Sequence, residues 1–177
     1  MSSREEKRMA KDRFDQFMFL SVTMSAANTL TFSEVAIGGA VFEYAGLIFT
    51  RIEYYPAADL FDDLASSTDT VDIALTGSNG LADLSVDQAQ LYDRLSLNAA
   101  AFGTPANVIQ HALPFVHDFS TMPGGGLMVP AQTLYIGMVT AGFGAATSAS
   151  VRAYYHIEKL TAADFVELVQ RYRILTT

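Results

Sequence analysis

Histidine is the side chain with the widest chemical range here, since imidazole can ligate a metal, relay a proton or activate a hydroxyl. The chain of 177 residues has three. His111 and His117 stand six apart and His156 is distant. A β-barrel metal site built on two histidines wants them separated by one residue, with a Glu close behind. That spacing is lacking, so the three are expected to be surface or hydrogen-bonded side chains. Asp59, Asp62, Asp63 and Asp69 crowd one stretch, and oxygen-rich loops suit hard cations such as Ca²⁺. The EF-hand spacing is absent, and a solvated acidic loop is the expectation. Gly124-Gly125-Gly126 would cradle phosphate only if it led from a strand into a helix, usually with a Lys. Pro130 follows instead and no Lys is near, so the glycines are expected to make a turned loop. There is no G-x-S-x-G or H-E-x-x-H. The absence of Cys excludes thiol catalysis, Fe–S clusters and Cys-ligated zinc. Nothing in the sequence fixes Ser, His and Asp together, and no cofactor is expected.

The elements that would carry these residues are mostly strands. Met1 to about Met18 has helical period, with Ala10, Phe14, Phe17 and Met18 at i, i+4, i+7 and i+8. Around Met18 the period becomes two. Met18, Leu20, Val22 and Met24 point one way, and Phe19, Ser21, Thr23 and Ser25 the other. Further strand candidates are 29–37, 47–54, 70–75, 90–97, 108–119 and 134–140. In 47–54 strict alternation sets Ile48, Thr50, Ile52 and Tyr54 against Leu47, Phe49, Arg51 and Glu53. Leu134–Thr140 is apolar on both faces, as in a strand buried between layers. The last strand has Val151, Ala153, Tyr155 and Ile157 on one side and Arg152, Tyr154, His156 and Glu158 on the other. Thr161 then caps a short amphipathic helix, with Asp164 in its first turn. Phe165, Leu168, Val169 and Tyr172 form its packing stripe. About eight strands with Gly/Pro/Ser-rich joints predict an antiparallel β-sandwich or barrel, with helix confined to the two ends. The division is an arm over 1–16 and a domain over 17–177.

Half of the residues are hydrophobic and 17% are charged, so a disordered chain is excluded. The net charge of −8 is unevenly spread. Residues 1–13 carry five basic and three acidic side chains, a local +2. Residues 14–170 carry four basic side chains against sixteen acidic ones, a local −12. Such a body gives nucleic acid no basic stripe to bind. Arg4, Lys7, Arg8, Lys11 and Arg13, with Phe14 and Phe17, suit an assembly arm that meets an acidic neighbouring subunit or anionic lipid. No signal peptide or transmembrane segment is expected. The uncharged run of 33 residues from Phe119 to Val151 is broken by Pro123, three glycines and Pro130, which a spanning helix would not carry.

The run HDFSTMPGGGLMVPAQTLYIGMVTAGFGAATSASVRAYYHIEKLTAADFVELVQ, residues 117–170, resembles the end of single jelly-roll capsid proteins from tailless icosahedral archaeal and bacterial viruses. The likeness is particularly to the internal-membrane type, which pairs two such capsid proteins. A Gly-rich, Pro-containing loop (123–130) leads to a strand (132–140). A small-residue turn then leads to a V-R-x-Y-Y strand (151–158) and a short acidic helix (161–170). The resemblance covers about a third of the chain. It implies a jelly-roll fold; with the short N-terminal helical arm and short C-terminal helix read from periodicity above, the expectation is an all-β, single jelly-roll β-sandwich. The resemblance also implies a capsid subunit of an icosahedral shell, without catalysis or cofactor. The implied partners are copies of itself, a second capsid protein and an internal membrane. The implied location is the virion, after synthesis in the host cytoplasm. The alternative from the residues alone is a β-sandwich binding module of lectin-like or adhesin type, its groove lined from Tyr44, Tyr54, Tyr55, Tyr92, Tyr154 and Tyr155. A β-barrel enzyme is a third.

Overall fold

The computed structural model of the protein describes residues 16–35, 37, 44–64, 68–98 and 114–172. Among these residues the chain forms nine strands and two helices. The strands are β1 (Gln16–Thr23), β2 (Thr31–Val35), β3 (Ala45–Pro56), β4 (Thr70–Thr76), β5 (Leu91–Asn98), β6 (Phe115–Asp118), β7 (Leu127–Pro130), β8 (Leu134–Ala141) and β9 (Ser148–Lys159). Helix α1 (Leu60–Asp63) is a single turn, and α2 (Ala162–Arg171) follows β9. The strands make two antiparallel sheets. One has the order β1-β9-β3-β6, with β7 also on β3; the other has the order β2-β8-β4-β5. The chain changes sheet at each step from β1 to β4, remains in one sheet from β4 to β5, returns for β6 and β7, and crosses again to β8 and to β9.

The core lies between the sheets and follows from side-chain alternation. In β1, Leu20 and Val22 are buried while Phe17, Phe19, Ser21 and Thr23 are exposed. They meet Val71, Ile73 and Leu75 of β4 and Ile136 and Met138 of β8 in one cluster. In β9, Val151 and Ala153 are buried, and Tyr155 and Ile157 pack against that cluster half-buried. Burying these faces supplies about 25 cal/mol per Å² of apolar surface, the main driving force for closing the sandwich.

Three expectations change. Gln16, Phe17 and Met18 are strand rather than helix, so Phe17 and Met18 point to opposite faces. β1 pairing with β9 provides a hydrogen-bond ladder that the short helical stripe could not match. α1 places one helical turn in the middle of the chain, after Pro56, held by backbone hydrogen bonds from the Leu60 amide to the Ala57 carbonyl and from the Leu64 amide to the Leu60 carbonyl. The third concerns β3. Its ladder with β9 shifts register between Phe49 and Arg51, a β-bulge at Thr50. Leu47 and Phe49 before the bulge and Ile52 and Tyr54 after it are all fully buried. Strict alternation would have put these pairs on opposite faces. The extra residue reverses the parity, and Leu47, Phe49, Ile52 and Tyr54 all turn inward.

β6 and β7 share one edge of β3. β6 pairs with Arg51–Tyr54 and β7 with Gly46–Phe49. Between them the chain leaves the sheet at 119–126, opposite the bulge, and the Phe119 amide donates to the Thr50 carbonyl at 2.8 Å. Gly124 and Gly125 take positive φ in this excursion. Gly126 brings it back so closely that a Cβ would lie 2.5 Å from the Phe49 carbonyl oxygen. The glycine-rich stretch is thus a turned loop between two strands, as its composition suggests.

Candidate functional site

Two groups of polar and aromatic side chains stand out. The first covers the outer face of the β1-β9-β3 sheet. β1 contributes Phe17 and Phe19, β9 contributes Arg152 and Tyr154, and β3 contributes Arg51, Glu53 and Tyr55, brought to this face by the bulge. Glu53 is buried beneath its partners. It lies 2.6 Å from the Arg51 guanidinium and 3.8 Å from that of Arg152, and it accepts from the Tyr55 hydroxyl at 2.7 Å. That hydrogen bond pushes the Tyr55 hydroxyl above its ordinary pKa. The Arg152 guanidinium lies 4.7 Å from the Phe19 ring centre and 5.8 Å from those of Phe17 and Tyr55. Arg51 covers Tyr154 at 5.7 Å. A planar cation over aromatic faces is held by the ring quadrupole, and Arg and aromatic residues are enriched at protein interfaces.

The second group links the two sheets. The Tyr54 hydroxyl, from the fully buried side chain on β3, donates to Asp93 Oδ2 on β5 at 2.7 Å. His117 Nδ1 on β6 lies 2.8 Å from the same oxygen, and its ring packs edge-on to Tyr54 at 5.3 Å. The hydrogen bond to Asp93 raises the His117 pKa against the opposing effect of burial. Burial first, and then Asp93, push the Tyr54 hydroxyl far up. A His–Asp pair is two thirds of a hydrolytic triad. Among the described residues, however, the hydrogen bonds of His117 run to Asp93 alone and no Ser or Thr hydroxyl joins it. The cluster acts as a polar clasp between the sheets.

The sequence-derived candidates are distributed as follows. Arg4, Lys7, Arg8, Lys11, Arg13 and Phe14 lie outside the described residues, as do His111 and the candidate strand stretch 108–113. Phe17 is on β1 and 62% exposed. In α2, the Thr161 hydroxyl oxygen accepts from the Asp164 amide as an N-cap. Leu168 is buried, Phe165 and Val169 are half-buried, and the Phe165 ring meets Tyr44 edge-on at 5.8 Å. The Tyr172 hydroxyl donates to the Met128 carbonyl at 2.7 Å, and its ring packs on Tyr92. An open groove of about 210 Å³ runs beside α2, lined by Met128, Leu160, Asp164, Glu167, Leu168 and Arg171. The tyrosine pool does not converge on one groove. Tyr54 and Tyr92 belong to the core, Tyr155 packs against it, and Tyr55 and Tyr154 occupy the outer face. Asp59 accepts from the Thr147 hydroxyl and Asp69 is buried. No metal-holding group of His, Asp or Glu occurs among the described residues. Sequence reasoning did not single out Phe19, Glu53 or Asp93. Only Phe19 left a signal, as a large apolar residue on the outward parity of β1.

Neither a scan of protein-family models nor a search of curated proteins gave a match. No helix among the described residues is long and apolar enough to cross a membrane.

Proposed function

We propose that the chain is a single jelly-roll capsid subunit, a structural protein of an icosahedral virion. The observation that carries the reading is strand order. A double-sheet jelly roll interleaves eight strands as two Greek keys, so that first and last strands are neighbours in one sheet and second and penultimate strands in the other. Taking β6 and β7 as one interrupted strand, the orders β1-β9-β3-β6 and β2-β8-β4-β5 follow that scheme. Such folds serve capsids and also lectins, so fold alone does not decide between them. The resemblance of residues 117–170 to capsid chains favours the first. So does the outer face, whose exposed Phe17 and Phe19 beside Arg152 suit burial against another subunit. The reading needs no cofactor and no catalytic residue. Its partners are further copies, a second capsid protein and, through the basic arm, lipid or a neighbour.

The test is particle mass, by light scattering and electron microscopy, for the chain produced alone and with a co-produced second capsid protein. Rings or megadalton shells are the expected result. A monomer under all of these conditions would overturn the reading in favour of a binding module.

A further inference from the structure

The strands at the edges of the two sheets are not equally protected. β2 carries exposed Glu34. β5 carries Asp93 and Arg94, and its ladder with β4 shifts register. β6 and β7 are four residues each, separated by the 119–126 excursion and closed by Pro130. Charge, irregularity, brevity and Pro all discourage an edge from pairing with another chain. β1 has none of these. It is eight residues long, runs in unbroken register with β9 from Gln16 to Thr23, and contains neither charge nor Pro. Among the described residues it is the last strand of its sheet. Two of the most exposed large apolar side chains, Phe17 at 62% and Phe19 at 57%, stand on it two residues apart.

We propose that β1 pairs antiparallel with β1 of a second copy about a two-fold axis, joining two sheets into one. The inference rests on the assembly reading above and names one contact within it. Charge selects a second copy as the occupant. The described residues hold fourteen acidic and five basic side chains, so two copies repel one another over most of their surface. The chain is uncharged from Gln16 to Ser33, and the face beside β1 carries Arg51 and Arg152. Self-repulsion is therefore weakest at β1. The two-fold also satisfies the pleat. In an antiparallel pair, opposite residues share a face, so the register must match parities for the cores to lie on the same side. With Phe19 opposite its symmetry mate, Phe17 meets Ser21 on the outer face and Met18 meets Leu20 on the core side. The rings that are exposed in the single chain then bury against the partner. Arg152, already on one side of the Phe19 ring, loses water as the contact closes and binds the ring more strongly.

Hydrogen exchange of the full chain over a range of concentrations, with light scattering on the same samples, tests this. Amides within 17–22 should gain protection in step with association. F19K, placed at an exposed position, should keep the far-UV spectrum, remove that protection and weaken association by about tenfold or more. F19K that associates like the wild type would overturn the proposal, and so would exchange that ignores concentration. Concentration-independent protection that vanishes on deleting residues 1–13 would assign the edge to the chain's own N-terminal segment, also overturning it. A shell whose 17–22 amides remain unprotected overturns the pairing and leaves the capsid reading standing. A β1-protected dimer that grows no larger, even with the second capsid protein, does the reverse.

Discussion

His117 and Asp93 set the pH behaviour of the clasp between the sheets. The carboxylate holds the His117 pKa above its ordinary value near 6.5. The folded state therefore binds the proton more tightly than the unfolded chain. The stabilisation is fully present below the unfolded pKa and fades as pH rises through the folded one. The melting-temperature gap between wild type and H117A should accordingly be widest near about pH 5.5 and narrower near about pH 8.5. A gap that widens with pH would assign the pair the wrong sign. Tyr54 holds the other side of Asp93 from a fully buried position. Y54F keeps the ring and removes a donor to a carboxylate, at a cost of about 1–3 kcal/mol in denaturant unfolding.

The two irregular places in the first sheet face each other and belong together. The bulge at Thr50 in β3 lies where β6 ends and β7 has yet to begin. The bulge turns Arg51, Glu53 and Tyr55 outward, and the excursion gives the opposing edge room for the extra residue. Gly126 is where the excursion rejoins the sheet, against the Phe49 carbonyl and the Ile48 side chain. G126A forces backbone or side chain to move and should cost about 1–3 kcal/mol. Hydrogen exchange should show β7 loosened before β9. If G126A melts like the wild type, the strand has slack that the contact distances do not suggest. α2 rests on this same strand through Tyr172 and Met128, so loosening β7 should also raise exchange in α2.

Across the whole molecule, charge separates the first thirteen residues of the sequence from those that follow. The chain carries −8 overall while residues 1–13 are locally +2. The body should not bind duplex DNA at about 0.1 M salt, because binding through counterion release needs several basic contacts. Fluorescence anisotropy reads this directly, and tight, salt-sensitive binding would contradict it. Truncation before Phe14 leaves β1 and the described core whole, so the melting temperature should barely change, while the proposed capsid role requires particle formation to weaken. A sharply lowered melting temperature with normal assembly would place the segment in the fold instead.

Local pattern was enough for much of the fold. The alternation of Met18, Leu20 and Val22 located β1, the Val151–Glu158 alternation located β9, and Thr161 with Asp164 located the start of α2. Each is a statement about neighbours in sequence, and period two or a cap is written there. On the candidate face, the outward parity of Arg152, Tyr154 and Phe19 was legible for the same reason. Alternation alone puts Arg51 and Glu53 on the side of Leu47 and Phe49, but a bulge breaks parity and only the partner strand shows where. β7 was hidden in a Gly- and Pro-rich stretch, since four residues carry too little periodicity to outweigh the turn residues before them. Asp93, His117 and Tyr54 are far apart in sequence, and pairing and sheet packing alone bring them together. The sequence determines which way a side chain points along an unbroken stretch of its own strand. The tertiary structure decides which strand lies beside it, because hydrogen-bond partners and buried area are shared between segments that carry no local record of each other.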